Sequence, residues 1–230
     1  MKRRIDRWLE GLETTGRPDE FEAKKLLKSI GIPVPEGIRL LPGQALKRPG
    51  FAGPFAVKTC SPDIVHKTDR QGLRLHVEAD RLVDAVDEMR RRFPKSGVLI
   101  EQMVNFGPPE LIIGGLVDPV FGPTVMVGAG GILTELYRDV TFRLAPFHER
   151  EARRMLRDLT LHPLFEGFRG IDVDTPGLAR TLGIASQLLA HLKDRLDHLD
   201  INPIVFADGR WTALDAKLKL VPGQEIAVGG

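Results

Sequence analysis

Hydrophobic residues recur along this chain at two spacings, one typical of helices and one typical of strands. Residues 2–14 place apolar side chains on one side of an amphipathic helix, and residues 80–93 do the same. A further early helix is predicted from Asp19, a suitable N-cap with Glu22 three residues later, as far as Gly31. Two more helices are predicted at residues 149–158 and 175–194.

Short apolar or alternating runs predict strands between these helices. They are residues 54–59, 73–77, 98–102, 111–117, 124–127, 200–206 and 211–217, the last two joined as a hairpin around Asp208-Gly209. Because strands follow one another as hairpin neighbours and also alternate with helices, the order indicates an α+β protein with two sheet-bearing lobes. A Gly-Pro-Pro run at residues 107–109 favours a junction between the lobes near residues 95–110.

Composition narrows the class of protein. The 230 residues carry a net charge of +2 and are 42% hydrophobic, which is typical of a folded chain with its own core. The charge balance argues against a dedicated nucleic-acid binder, and an aromatic content of 6% leaves little to stack on bases. Cys60 has no second cysteine to pair with, and the chain lacks both a membrane-length apolar run and an apolar signal core. We therefore expect a cytoplasmic protein with neither a nucleic-acid nor a membrane partner.

Two residues near the strand at 54–59 could handle an anionic ligand. Lys58 ends this apolar strand, where an ammonium is costly unless an anion or a carboxylate meets it, although a solvated strand end is the alternative. His66 follows in a loop at residues 59–72 that is rich in hydroxyls and cations and could wrap a polyphosphate. Its neutral imidazole could accept a phosphoryl group, and the alternative is an ordinary surface histidine.

Two later segments offer weaker signals of the same kind. The glycine cluster at residues 128–131, which includes Gly130 and Gly131, could let backbone N–H groups approach phosphate, or it could be a plain turn. It does not match the G-x-x-x-x-G-K-[ST] phosphate loop. Arg143 lies in a largely apolar stretch, so its guanidinium should meet either an anion or a buried acid.

The C-terminal hairpin carries the sharpest local feature. Period-two spacing puts Asp200 and Asn202 on one face of a strand, and Asp215 comes from the partner strand. Hard oxygen ligands in this number suit Mg²⁺ held jointly with substrate phosphates. The alternative is a polar hairpin face with a turn-forming Asn-Pro.

Several motifs, in this order and separation, resemble the ATP-grasp β subunit of ADP-forming acyl-CoA synthetases, which are relatives of succinyl-CoA synthetase. They are E-A-K at 22–24, G-I-P-V-P at 31–35, V-K at 57–58, S-P-D-I-V-H-K-T-D at 61–69, F-G-P at 121–123, G-A-G-G-I at 128–132, F-R-L-A-P at 142–146 and D-I-N-P at 200–203. The similarity runs from about residue 20 to about residue 220. It implies an ATP-grasp fold that holds the nucleotide between two lobes, divided here into an extension at residues 1–19, a small lobe at 20–102 and a large lobe at 103–230.

The resemblance also implies a role for each matched residue. Lys58 would contact the nucleotide phosphates, Glu101 with the backbone of Met103 and Val104 would form the adenine hinge, and Glu110 would lie near the ribose. Gly130, Gly131 and Arg143 would line the phosphate end, with Arg143 and His66 taking part in catalysis. Asn202 and Asp215 would bind Mg²⁺, with Asp200 as a neighbouring acid. His66 would relay a phosphoryl group.

The reaction implied joins a carboxylic acid to CoA while ATP is converted to ADP and phosphate. The CoA site and the principal phosphohistidine belong to an α subunit or fused domain in this family, so we expect a hetero-oligomer with a CoA-binding α subunit. Two other functions are compatible with the same residues. One is a carboxylate–amine ligase, which needs neither His66 nor CoA, and the other is a nucleotide-sensing subunit that does not catalyse the reaction.

Overall fold

A computed structural model of the chain describes residues 1–13, 17–62, 71–131 and 139–221. Its helices are α1 (Lys2–Glu13), α2 (Glu20–Ile30), α3 (Leu82–Arg92), α4 (Glu149–Arg157) and α5 (Thr175–His191), with short 3₁₀ turns at Ala79–Arg81, His162–Glu166 and Phe168–Gly170. Its strands are β1 (Gly37–Leu40), β2 (Phe55–Cys60), β3 (Leu73–Val77), β4 (Gly97–Gln102), β5 (Glu110–Asp118), β6 (Gly122–Ala129), β7 (Val140–Leu144), β8 (Leu196–Ala207), β9 (Arg210–Ala213) and β10 (Ala216–Leu220). In these ranges no helix is long and apolar enough to cross a membrane.

The strands form two antiparallel sheets, as the α+β prediction required. The smaller sheet has the order β1-β4-β2-β3, and α3 packs against it through Val86 and Met89, which are both fully buried. The larger sheet has the order β10-β8-β5-β6-β7, with β9 paired to β8. Its core side packs on α4 and α5, which contribute apolar residues such as Met155 and Leu182. The hydrophobic cores of the two sheets are therefore separate.

The N-terminal helices contribute their apolar faces to the larger sheet's core, while α2 contacts the smaller sheet through ion pairs. Ile5, Trp8 and Leu12 of α1 and Leu26 and Leu27 of α2 all belong to that core. The two helices are joined by the indole Nε1 of Trp8, which donates a hydrogen bond to the Glu22 carbonyl at 3.0 Å. The basic first helix is thus an integral part of the fold, a point that its amphipathic sequence alone left open.

The ends of α2 confirm the capping signals read from the sequence. Asp19 is the N-cap and its side chain accepts a hydrogen bond from the Glu22 amide, while Gly31 ends the helix with a φ of 102°. This left-handed backbone favours glycine because other side chains are strained there.

Two strands were not predicted, and one predicted strand is interrupted. β1 follows a proline-rich segment read only as extended. β7 has the sequence V-T-F-R-L, which alternates apolar and polar residues as β3 does, so its signal was present and was missed. The predicted strand at 211–217 falls on β9 and the start of β10, which pair with β8 in one register as far as Lys219, apart from an interruption at residues 214 and 215. The interruption lies opposite Pro203, which has no N–H to donate to a strand ladder.

We expect Trp8→Ala to lower the free energy of unfolding by about 3 kcal/mol, because it removes a nearly buried indole and leaves a cavity under α1. Trp8→Phe keeps most of the packing and loses the hydrogen bond to Glu22, so its cost should be about 1 kcal/mol. Denaturant unfolding of the two variants, with the exposed position Arg7→Ala as a control, measures these differences. A Trp8→Ala variant as stable as Arg7→Ala would show that α1 is not part of the core.

Candidate functional site

Lys58 lies in a buried cluster of four charged side chains where the two sheets meet. Its Nζ is 2.8 Å from Glu20 Oε1 and 2.8 Å from Glu101 Oε2. Lys24 shares both acids, at 2.7 Å from Glu20 Oε1 and 2.6 Å from Glu101 Oε1. Two ammonium groups and two carboxylates balance one another, which is the condition for burying them together.

Both lysines of this cluster also bond to one backbone atom of the larger sheet. The Nζ atoms of Lys24 and Lys58 each donate a hydrogen bond to the Leu214 carbonyl at 2.7 Å. Leu214 lies between β9 and β10, directly before Asp215. The cluster therefore connects α2 and the smaller sheet to the hairpin that carries the candidate metal ligands.

The charge of Lys58 is stabilised by its surroundings. Burial opposes the ammonium form, but the negative charges of Glu101, Glu20 and Asp215 outweigh it and raise the pKa of Lys58 well above its ordinary value. Lys58 is therefore a cation at neutral pH. The alternative prediction, a lysine solvated at the end of a strand, is wrong, because Lys58 is buried and its ammonium is paired with carboxylates.

The segment after β4 is the predicted adenine hinge. The Glu101 carboxylate forms ion pairs with Lys24 and Lys58, while its backbone pairs with Ala56 of β2. Met103 and Val104 come just after the strand and are half-buried, and the Met103 N–H donates to the Pro54 carbonyl at 2.9 Å. The hinge backbone thus lies next to the charged cluster, and its role toward adenine stays a prediction.

The predicted metal ligands come together on the β8–β10 hairpin. The strand register places Asn202 opposite Asp215, and the Asn202 N–H donates to the Asp215 carbonyl at 3.2 Å. Asp200 lies two positions before Asn202, on the same face of β8 by the alternation of a strand. Within the described residues no three His, Cys, Asp or Glu side chains form a group that could hold a metal ion, so a metal site here would need the Asn202 amide beside the two carboxylates.

The electrostatics of this hairpin fit a divalent cation. Burial, and then the nearby negative charge of Asp215, raise the pKa of Asp200, while His198 and Lys217 act in the opposite direction. Two carboxylates that repel each other in a partly buried position are stabilised when a cation lies between them. Carboxylate and amide oxygens are also the donors that Mg²⁺ prefers.

A cavity of about 630 Å³ brings Glu110, Gly130 and Gly131 together. The Gly130 N–H donates to the Glu110 carbonyl at 2.8 Å, and a Cβ at Gly130 would lie 2.9 Å from the Leu111 backbone carbon. This close approach of two backbones requires glycine. Gly131 has a φ of 63° and lies beside the Glu110 carboxylate, so the predicted ribose and phosphate residues share one wall.

Arg143 is placed differently from the glycines with which the sequence grouped it. It borders a second cavity of about 600 Å³ that Asp200 and His198 also line. Its strand partner Val125 belongs to the larger sheet's core, so the Arg143 side chain lies on the α4 side of the sheet, whereas Asp200, between the core residues Leu199 and Ile201, lies on the other face. Its guanidinium bonds to Glu151 at 2.9 Å and also to Asp158. Burial disfavours the cation, but these two carboxylates raise the pKa of Arg143 overall. Of the two partners predicted for it, the structure supplies acids, which are partly exposed and not buried.

His66 lies outside the described residues, so its predicted relay role stays a prediction. Sequence reasoning missed the parts played by Glu20, Lys24 and Leu214. A signal was present for the first two, because they are four residues apart on α2 and share its buried face with Ala23 and Leu27. No local signal marks Leu214, since it acts through its backbone carbonyl.

Comparison with known proteins agrees with this arrangement. Residues 13–220 match the ATP-grasp domain family. The chain is 36% identical to the acetate–CoA ligase [ADP-forming] II subunit beta of Pyrococcus furiosus, over 87% of this chain and 90% of that one. It is 35% identical to subunit beta of ligase I from the same organism, over 92% of this chain and 96% of that one.

Solved structures are similar over the same length. A protein of Pyrococcus horikoshii has a TM-score of 0.85 and 33% identity, covering 97% of this chain and all of that one. Acetyl-coenzyme A synthetase 1 of Ca. Korarchaeum cryptofilum, in complex with coenzyme A and Ca-AMPCP, has a TM-score of 0.81 and 31% identity, covering 93% of this chain and 98% of that chain. The similarity covers both sheets and all four residues of the charged cluster. The chain therefore belongs to the ATP-grasp family, among the β subunits of ADP-forming acyl-CoA synthetases.

Proposed function

We propose that this chain is the nucleotide-binding β subunit of an acid–CoA ligase that forms ADP. The overall reaction is carboxylic acid, CoA and ATP to acyl-CoA, ADP and phosphate. The observation that carries the proposal is the junction of the two sheets, where a buried lysine lies next to a carboxylate and amide hairpin that fits a divalent cation. The β subunits of Pyrococcus furiosus, which are 36% and 35% identical to this chain over most of its length, support the same assignment.

Different residues near the junction of the two sheets would bind the adenine, the ribose and the phosphates of the nucleotide. The hinge at Met103 and Val104 would hold the adenine, and Glu110 would bond to the ribose from the wall it shares with Gly130. Lys58 would meet the phosphates. Its ammonium has three acceptors in the cluster, so contact with a phosphate requires it to exchange at least one of them.

Asp200, Asn202 and Asp215 would hold Mg²⁺ on the hairpin. When bound, the ion neutralises charge on the phosphate oxygens and orients them. The protein contributes partly buried positions for the two carboxylates, and the Asn202 N–H holds the Asp215 carbonyl by a hydrogen bond. Arg143 is held by its two carboxylate partners on the α4 side of the larger sheet, the face opposite Asp200, so we assign it no part in holding the metal.

His66 would accept the γ-phosphoryl group. A bond forms between an imidazole nitrogen and the γ-phosphorus, and the bond from that phosphorus to the β,γ-bridging oxygen breaks, which releases ADP. The phosphoryl group would then pass, by way of the phosphohistidine of the α subunit, to the carboxylic acid, and CoA thiolate would displace phosphate from the acyl phosphate. We assign the CoA site and the acid pocket to an α subunit, with which this chain would form a hetero-oligomer. The 36% identity to ligase I of Archaeoglobus fulgidus, where the match covers 32% of a longer chain, fits a partner that is fused in some relatives.

We expect the chain mixed with its CoA-binding partner subunit to convert ATP to ADP and phosphate, with acyl-CoA in equal amount. The measurement follows all three products by chromatography, with acetate, a branched acid and an aryl acid each offered in turn. Omission of CoA or of the partner should abolish acyl-CoA formation. Release of AMP, or turnover with an amine in place of CoA, would contradict the proposal, and nucleotide binding without turnover for any acid would favour a sensing subunit.

We expect Asp215→Asn to lower Mg²⁺-dependent turnover by about 100-fold, because it removes a charged ligand from the cation that stabilises the phosphate oxygens. The thermal unfolding midpoint should change little, since the side chain is not part of either core. Asp208→Asn is the matched control, because this exposed residue lies in the turn of the same hairpin and has a φ of 50°, which asparagine tolerates. Equal turnover in the two variants would remove Asp215 from the metal site.

A further inference from the structure

The four-charge cluster contains a second lysine for which the proposed function gives no role. Lys24 comes from α2, which packs with the larger sheet's core, and its side chain is only 4% exposed. A lysine is rarely buried to this extent without a specific partner set. Lys24 has three partners: Glu20, Glu101 and the Leu214 carbonyl.

Lys24 and Lys58 both bind Glu20, Glu101 and the Leu214 carbonyl. One lysine would suffice to connect Glu101 to Leu214. With two, the shared acceptors keep a cation if Lys58 turns toward a phosphate. Lys24 has no such alternative, because its helix is fixed to the core by Leu26 and Leu27, which are both 1% exposed.

The Leu214 carbonyl, which accepts from both lysines, directly precedes Asp215, the candidate metal ligand. The Leu214 N–H donates to the Pro203 carbonyl at 2.9 Å, and the Asp215 carbonyl accepts from the Asn202 N–H. These two bonds hold the segment to β8, and the two ammonium groups hold the Leu214 carbonyl. The position of Asp215 along the hairpin therefore depends on the cation that holds the preceding carbonyl.

We propose that Lys24 is a positioning residue of the nucleotide site, which holds Glu101 at the hinge and the Leu214 carbonyl at the metal hairpin in a fixed relation. Glu20 orients Lys24 and completes the charge balance. Lys24 touches neither nucleotide nor metal in this assignment. The inference rests on the proposed function, because it presupposes that Asp215 binds the cation of a Mg²⁺–nucleotide complex.

The test compares ADP binding with and without Mg²⁺ by calorimetry on the full chain. Lys24→Met should reduce the gain in affinity that Mg²⁺ gives by about tenfold, as is usual when a group that orients a metal ligand is removed. Binding of ADP without metal should change less than about twofold, because Lys58 and the hinge remain. Lys28→Met is the matched control, since this exposed lysine lies one turn later on the same helix and pairs only at the surface with Glu36.

A double variant separates positioning from simple stability. Lys24→Met alone leaves one buried negative charge in excess and should lower the thermal midpoint, whereas Glu20→Gln/Lys24→Met restores neutrality and should recover most of it. The Mg²⁺-dependent gain should stay low in the double variant, because the Leu214 carbonyl still lacks its second donor. The double variant also serves if the single one does not fold.

Two results would overturn the inference. The first is a gain in ADP affinity from Mg²⁺ that is as large in Lys24→Met as in Lys28→Met. If Lys24→Met does not fold, the double variant takes its place in this comparison. The other is a double variant that recovers both stability and the Mg²⁺-dependent gain, which would make Lys24 a purely structural residue. A third outcome concerns the proposed function: if Mg²⁺ does not raise the ADP affinity of the unmodified chain, the proposed metal site is wrong. This measurement is made before any variant is tested.

Discussion

The arrangement of this protein depends on one buried, charge-balanced cluster at the place where its two sheets meet. Ammonium groups and carboxylates can be buried together only when each has a partner close by, because any uncompensated charge would lose its hydration without replacement. Lys24, Lys58, Glu20 and Glu101 satisfy this condition at distances of 2.6 to 2.8 Å. The two hydrophobic cores are separate, so this cluster supplies a specific polar connection between them.

The cluster also explains why the residues of the candidate site can act together although they come from distant parts of the chain. Its lysines reach the carbonyl of Leu214, and the next residue is a candidate metal ligand. The hinge after β4 starts from Glu101, a member of the same cluster. The predicted hinge and the predicted metal hairpin are therefore connected through a few short hydrogen bonds of one cluster.

Local signals were sufficient to predict much of the fold and part of the site. The capping residues of α2, the alternation in β3 and the turn at Asp208-Gly209 are determined by neighbouring residues, and each was correctly predicted. The proximity of Asp200 to Asp215 also followed from the hairpin. The cluster could not be found in this way, because Lys24 and Glu101 are 77 residues apart and the acceptor at Leu214 is a backbone atom. For Arg143 the sequence predicted an anion or a buried acid as partner, and its partners are partly exposed carboxylates on and just beyond α4, at 151 and 158, while its predicted catalytic role stays a prediction.

The most direct test of the central claim, that this chain takes the γ-phosphoryl group from ATP, is a labelling measurement on the chain together with its CoA-binding partner. The assembled protein is incubated with Mg²⁺ and ATP labelled at either the γ or the α phosphate, beside the His66→Ala variant, and the label on this chain is tested for acid lability and alkali stability. The account predicts label from the γ position alone, absent from the variant. Label from the α position, equal label in the variant, or no label on this chain despite ATP binding would contradict it.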